Sequence, residues 1–221
     1  MTAIFTKKPA AGRVKTRLCP PLAPPQAARL AEAMLADVVA RCRDALLRTR
    51  LLFTPAAEES WFRKRFPELD EFEPQRGDGL AARLAAFFDG ALAEPETTAA
   101  VAIGSDAPLI PAARIEEAHR RLDEGAGLVL GPDRGGGYYL VGLRDPHAEL
   151  FTGIEMSTAT MFEETVALAR QNGLAVELLE PAYDVDLEQD LLRLREDLAA
   201  MDREDGGFPH RTARVLAEIL E

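Results

Sequence analysis

The sequence predicts an α/β fold: one Rossmann-like domain with a mostly parallel central sheet and helices on both faces. Three observations predict it. Short apolar runs alternate with longer segments of helical period from one end of the chain to the other. The apolar runs lack polar alternation, as do strands covered on both faces. No linker, internal repeat or low-complexity tract interrupts the chain, so a single domain is drawn over 1–221.

The elements follow in order. Ala3-Ile4-Phe5 reads as a short buried strand. Ala27, Leu30, Ala31, Met34, Leu35, Val38, Val39 and Cys42 fall at helical spacing and predict an amphipathic helix reaching Ala45. Residues 50–54 form the next strand and 58–66 a helix, and Phe72 lies on a short strand. A helix follows over 80–92. The fully apolar run 99–103 is the clearest strand. Residues 115–122 read as helix, 128–130 and 138–143 as strands. Helix over 158–170, strand over 175–179 and helices over 187–198 and 212–220 complete the alternation.

Composition narrows the function. With 47% hydrophobic and 29% charged residues, the chain has ordinary globular composition and can bury a core without staples. Cys19 and Cys42 show no metal-type spacing; Cys42 lies on the apolar face of its helix. Reduced thiols and a cytoplasmic location are expected. The opening apolar stretch is too short for a signal sequence, and no stretch approaches a membrane span. A formal charge of −11 argues against nucleic acid as a partner. Yet Lys7, Lys8, Arg13, Lys15 and Arg17 stand together with no acidic residue among them. A basic loop in an acidic protein suggests a small anionic ligand; a solvated surface loop is the other reading.

In open α/β sheets, ligands bind at the carboxyl ends of the strands. Four loops there carry unusual residues. The first, Lys7 to Leu18, is basic and small. Gly12 permits close approach of the backbone, and Lys7, Lys15 and Arg17 are candidates for phosphate oxygens. Neither a P-loop nor GxGxxG is present. The second loop, Gly104-Ser105-Asp106-Ala107-Pro108, leaves the clearest strand. Magnesium or manganese bridging phosphates needs one or two carboxylates, and Asp106 suits that role. An N-cap or turn role is the alternative. The third, Tyr183-Asp184-Val185-Asp186, follows the last strand. Asp186 is assigned to the metal and Asp184 to support or to proton removal. The fourth holds Gly135, Gly136 and Gly137, either a tight hairpin or a close approach to ligand. Gln75 is a further candidate nucleotide contact, and so is Asp78, which also suits a helix N-cap. Ser157 reads as a cap rather than a nucleophile. His119, His147 and His210 are scattered and form no triad or metal cluster.

Gly12-Arg13-Val14-Lys15-Thr16-Arg17-Leu18, Gly104-Ser105-Asp106-Ala107-Pro108, Gly135-Gly136-Gly137-Tyr138-Tyr139-Leu140-Val141-Gly142-Leu143 and Asp184-Val185-Asp186 occur in this order. Together they resemble the bacterial family of small glycosyltransferase-like nucleotide-diphospho-sugar transferases, some associated with arsenosugar biosynthesis. The resemblance spans nearly the whole chain. It implies the glycosyltransferase-A fold, with Asp106 at the position of the metal-binding aspartate and the Lys15 to Leu18 loop over the nucleotide phosphates. Met156 stands where relatives often carry a bulky aromatic. The opening is also similar to that of phospholactate guanylyltransferases and, more distantly, molybdenum-cofactor nucleotidyltransferases.

The expectation is therefore a transferase that uses magnesium or manganese, binds a nucleotide-diphosphate sugar and passes the glycosyl group to a small acceptor. Nucleotidyl transfer is the alternative. A nucleotide-binding protein without turnover would keep the basic loop and dispense with the metal carboxylates.

Overall fold

The computed structural model describes residues 1–220. In chain order the elements are β1 (Thr2–Lys7), α1 (Pro24–Asp44), β2 (Thr49–Thr54), α2 (Glu59–Arg65), β3 (Glu71–Pro74), α3 (Gly79–Leu92), β4 (Ala100–Gly104) and α4 (Ala112–Asp123). Then come β5 (Leu128–Pro132), β6 (Tyr138–Leu143), α5 (Glu149–Thr152), α6 (Met161–Gln171), β7 (Val176–Leu178), α7 (Glu188–Ala200) and α8 (His210–Leu220). The strands form one sheet in the order β3-β2-β1-β4-β6-β5-β7. All neighbours run parallel except β6, which is antiparallel to both β4 and β5.

The strand alternation shows why the central strands look uniformly apolar. On β4, Val101 and Ile103 enter one core with Leu35 and Val39 of α1, Phe62 of α2 and Ile115 of α4. Ala100 and Ala102 point the other way, into a core with Phe88 of α3, Phe151 of α5 and Ala169 of α6. Both faces are covered, so neither can be polar. A third cluster lies outside α1. There Leu30 and Met34 pack with Leu191 and Leu194 of α7 and with Val215 and Leu216 of α8. Helix α1 is therefore buried on two sides, against the sheet and against a third layer, where its sequence suggested one apolar face.

Other boundaries shift for local reasons. Helix α6 begins at Met161 rather than at 158, because Ser157 takes a left-handed conformation (φ 67°) and the Thr158 hydroxyl donates to the Glu155 carbonyl. The turn of α5, which buries Leu150 and Phe151, is too short for its period to be read. No described helix is long and apolar enough to cross a membrane.

The order of strands positions the site. After β1 the chain moves outward to β2 and β3, then returns to β4 on the opposite side of β1. This reversal opens a crevice beyond the carboxyl ends of β1 and β4. Because β6 runs backwards, the β5–β6 hairpin turn comes to that same edge, as does the segment after β7.

His119 of α4 is neutral for a structural reason. Burial, then the nearby N-terminal ammonium, pushes it down to about 4, and its Nε2 lies 2.8 Å from Thr2 Oγ1. A depressed histidine contributes stability above its unfolded value, and that contribution is lost as pH falls toward the folded one. The melting temperature should therefore decline between about pH 6.5 and pH 4, more steeply for the parent chain than for His119→Gln. Parallel melting curves for the two across that window would refute this.

Candidate active site

Loop geometry brings the first, second and third candidate loops together. Lys15 adopts a left-handed backbone (φ 47°, ψ 37°) ahead of the single turn Thr16–Leu18. Its ammonium lies 2.7 Å from Asp106 Oδ2 and 2.7 Å from Asp186 Oδ1. The Lys15 side chain is only 5% exposed. Burial opposes its charge, but Asp106 and then Asp186 outweigh it and hold the lysine above its ordinary value. It is a permanent cation between two carboxylates from different strand ends. Sequence reasoning aimed Lys15 at phosphate oxygens; here it faces protein carboxylates.

The carboxylates are held from the backbone. Val185 N–H donates to the Asp106 carbonyl, which ties the loop after β4 to the segment after β7. Asp190 Oδ2 accepts from the N–H groups of Asp186 and Leu187 at the start of α7. Asp184, two residues before Asp186, is half-buried. Burial, then the Asp106 carboxylate, pushes it up to about 7 against the pull of Lys15. No protein donor reaches either Asp184 oxygen among the described residues, and Oδ1 is wholly shut from solvent.

Three cavities border this cluster; the smallest, about 230 Å³, is lined by Ser105, Asp106, Tyr138 and Asp184. The first, about 320 Å³, is bounded by Lys7, Arg13, Lys15, Gln75, Arg83 and Asp106. The second, about 540 Å³, is bounded by Arg17, Arg134, Ser157, Thr158, Asp184 and Asp190, with Gly135 and Gly137 at its rim. Asp186 borders both.

The remaining candidates divide accordingly. Lys7 borders the first cavity, while Arg17 faces the second. Gly12 has positive φ (71°) in an exposed turn and lines neither. Gln75 spends its amide on the carbonyls of Thr6 and Leu52 and accepts from Arg83, so it ties β1 to β2 at the cavity wall. Asp78 is the N-cap residue of α3, makes no side-chain cap and is exposed away from both cavities. The three glycines form the β5–β6 hairpin turn. Asp133 Oδ1 accepts from Gly135 N–H and Gly137 N–H. Gly136 (φ 88°) packs so closely on the loop before α6 that a Cβ there would meet the Ala159 carbonyl oxygen at 2.0 Å. Hairpin and cavity rim are thus one feature.

Sequence reasoning missed Arg83, Arg134 and Asp190. Asp190 carried a readable signal, an acidic residue three positions past Leu187 at a helix start. Arg83 and Arg134 carried none, since single arginines on a helix or a turn are ordinary.

This geometry can be set against known proteins. The model of a bacterial family described as "Uncharacterized protein conserved in bacteria (DUF2064)" matches residues 36–158, more than half of the chain. The chain belongs to this DUF2064 family. The matched span holds Asp106 and the glycine hairpin, and leaves Lys15 and Asp186 outside. No curated protein matches the sequence. Among solved structures, the chain is similar to a protein of Desulfovibrio desulfuricans G20 provisionally named a nucleotide-diphospho-sugar transferase. The TM-score is 0.88 at 27% identity, covering 98% of this chain and 93% of that one. It shares its fold with CMP:2-keto-3-deoxy-manno-octonic acid synthetase complexed with CTP (TM-score 0.56, 13% identity, 90% and 98% covered). It shares it also with molybdopterin-guanine dinucleotide biosynthesis protein A of Archaeoglobus fulgidus (0.54, 15%, 91% and 100%). The α/β fold with a mostly parallel central sheet, expected from the sequence, is shared with these structures.

Whether the site suits a divalent cation can be judged from the donors themselves. Among the described residues no three metal-type side chains converge. Two carboxylates do, and they already share one cation, the Lys15 ammonium. Magnesium and manganese bound through nucleotides need only one or two carboxylates, with phosphate oxygen and water completing the shell. The residues fit that type of site and not an all-protein cage.

Proposed function

We propose that this chain binds a nucleoside diphosphate sugar at the carboxyl edge of its sheet and transfers the glycosyl group to a small acceptor. The observation that carries this reading is the carboxylate pair, Asp106 and Asp186, gripping a cation between two cavities. The similarity to the Desulfovibrio protein supports it. Lys7 and Arg13 line the first cavity and would hold the diphosphate. Asp106 and Asp186 would hold magnesium or manganese, which when bound neutralises charge on a departing diphosphate. Lys15, freed from the pair, would then turn to the phosphates. Asp184, without a donor of its own at the border of the second cavity, would take the acceptor's proton. Leaving-group stabilisation of this kind is electrostatic and requires no covalent intermediate.

The test is phosphorus NMR. Sugar nucleotides incubated with the protein and manganese should slowly release nucleoside diphosphate, with water as a poor acceptor. Four cationic side chains on one cavity, Lys7, Arg13, Lys15 and Arg83, also suit a triphosphate, which favours nucleotidyl transfer as the second reading. Pyrophosphate from a triphosphate, with no diphosphate from any sugar nucleotide, would establish that alternative.

Lys15 gives a separate expectation. If its ammonium and the metal share one place, Lys15→Met should bind manganese more tightly than the parent in the absence of nucleotide, by at least about tenfold. It should also lose the gain in nucleotide affinity that manganese confers. Calorimetry with manganese alone checks the first point; equal affinity in parent and variant would show that lysine and metal do not compete.

A further inference from the structure

We infer that the second cavity is the acceptor subsite and that it selects a small hydroxylated anion. This rests on the donor reading above, because that reading assigns the first cavity to the nucleotide. The cavity of about 540 Å³ shares Asp186 with the first, so its contents lie beside the same reacting edge.

The charges within it are unevenly committed. Asp133 accepts from two hairpin N–H groups, Asp190 from two N–H groups at the start of α7, and Asp186 pairs with Lys15. These three carboxylates are already satisfied. Arg17 and Arg134 are not: neither has an ion-pair or hydrogen-bond partner among the described residues, and both border the cavity. Two uncommitted guanidinium groups at one cavity in a chain of net charge −11 mark a place for an anion. Asp184 borders the same cavity and lacks any donor. A ligand hydroxyl would supply a donor to Oδ2, the Asp184 oxygen that is not shut from solvent, and is also the group a transferase needs as nucleophile. Both demands are met by one compact molecule with a hydroxyl at Asp184 and a carboxylate or phosphate at Arg17 and Arg134.

The experiment measures binding of four probes by calorimetry: glycerate, glycerol 3-phosphate, glycerol, and manganese pyrophosphate as a donor-side probe. Glycerate or glycerol 3-phosphate should bind while glycerol does not, and the better of the two anions identifies the charged group. Arg17→Gln and Arg134→Gln should each weaken the anion by about tenfold, in keeping with a charge-assisted hydrogen bond. Arg29→Gln, an exposed arginine on the outer face of α1, should change nothing. Manganese pyrophosphate should bind together with the anion. Anions that bind no better than glycerol, or equally to all three variants, overturn the inference while pyrophosphate binding keeps the donor reading intact. Displacement of glycerate by manganese pyrophosphate also overturns it, since the arginines would then serve the donor. Failure of pyrophosphate alone to bind counts against the donor reading instead.

Discussion

Gly136→Ala should be the most destabilising single-methyl substitution at this edge of the sheet. The added Cβ would stand 2.0 Å from the Ala159 carbonyl oxygen and 2.5 Å from its carbon, and φ is +88°. Both obstructing atoms are backbone, so no side chain can swing away. The hairpin or the loop before α6 must move, and the Phe162 N–H bond to the Gly136 carbonyl, 2.8 Å long, goes with it. A cost of about 3 kcal/mol is expected. For a domain of this size that lowers the melting temperature by roughly 10 °C. Gly12→Ala is the matched comparison, because Gly12 also has positive φ (71°) but nothing within 4 Å of the new methyl. It should cost only about 1 kcal/mol, the left-handed penalty alone. Equal losses in the two variants would mean that dihedral strain, not collision, governs the hairpin.

Asp106→Asn should have the largest effect on turnover. The asparagine keeps the shape, and its backbone carbonyl still receives the Val185 N–H, so folding should be little affected. What disappears is one of the two negative charges that share a cation. With it should go the mutual reinforcement of manganese and nucleoside diphosphate binding. Release of diphosphate from a sugar nucleotide should fall by about a thousandfold, the scale on which loss of a single stabilising group acts in such sites. A variant that keeps within tenfold of parental turnover would remove Asp106 from the chemistry.

Much of this architecture was legible in the sequence because its signals are local. Val101 and Ile103 alternate with Ala100 and Ala102 between two cores, and all four are apolar, so a buried strand could be read directly. Asp106 was legible for the same reason, being the first carboxylate after that strand. Pairings across the chain were not legible. Lys15 was read as a phosphate ligand because its partner Asp186 lies 171 residues away. Arg17 sits two residues on, and only the intervening turn at Thr16–Leu18 turns it toward the other cavity. Gln75 looked like a ligand contact because an amide that ties two strands together is chemically the same as one that binds a base. The double burial of α1 was hidden because the third layer that covers it, α7 and α8, comes last in the chain.

The contact between Lys15 and Asp186 also has a meaning in time. One partner is translated 171 residues before the other, which is added only after β7 has been made. A chain emerging from the ribosome holds the basic loop, the complete span matched by its family and Asp106 while Asp186 is still to come. During that interval one of the two carboxylates that pair with Lys15 in the finished protein is absent. Domains assemble as units once their last contributing segment is available. A nascent chain stalled before β7 should therefore lack one of the two carboxylates that hold the Lys15 ammonium.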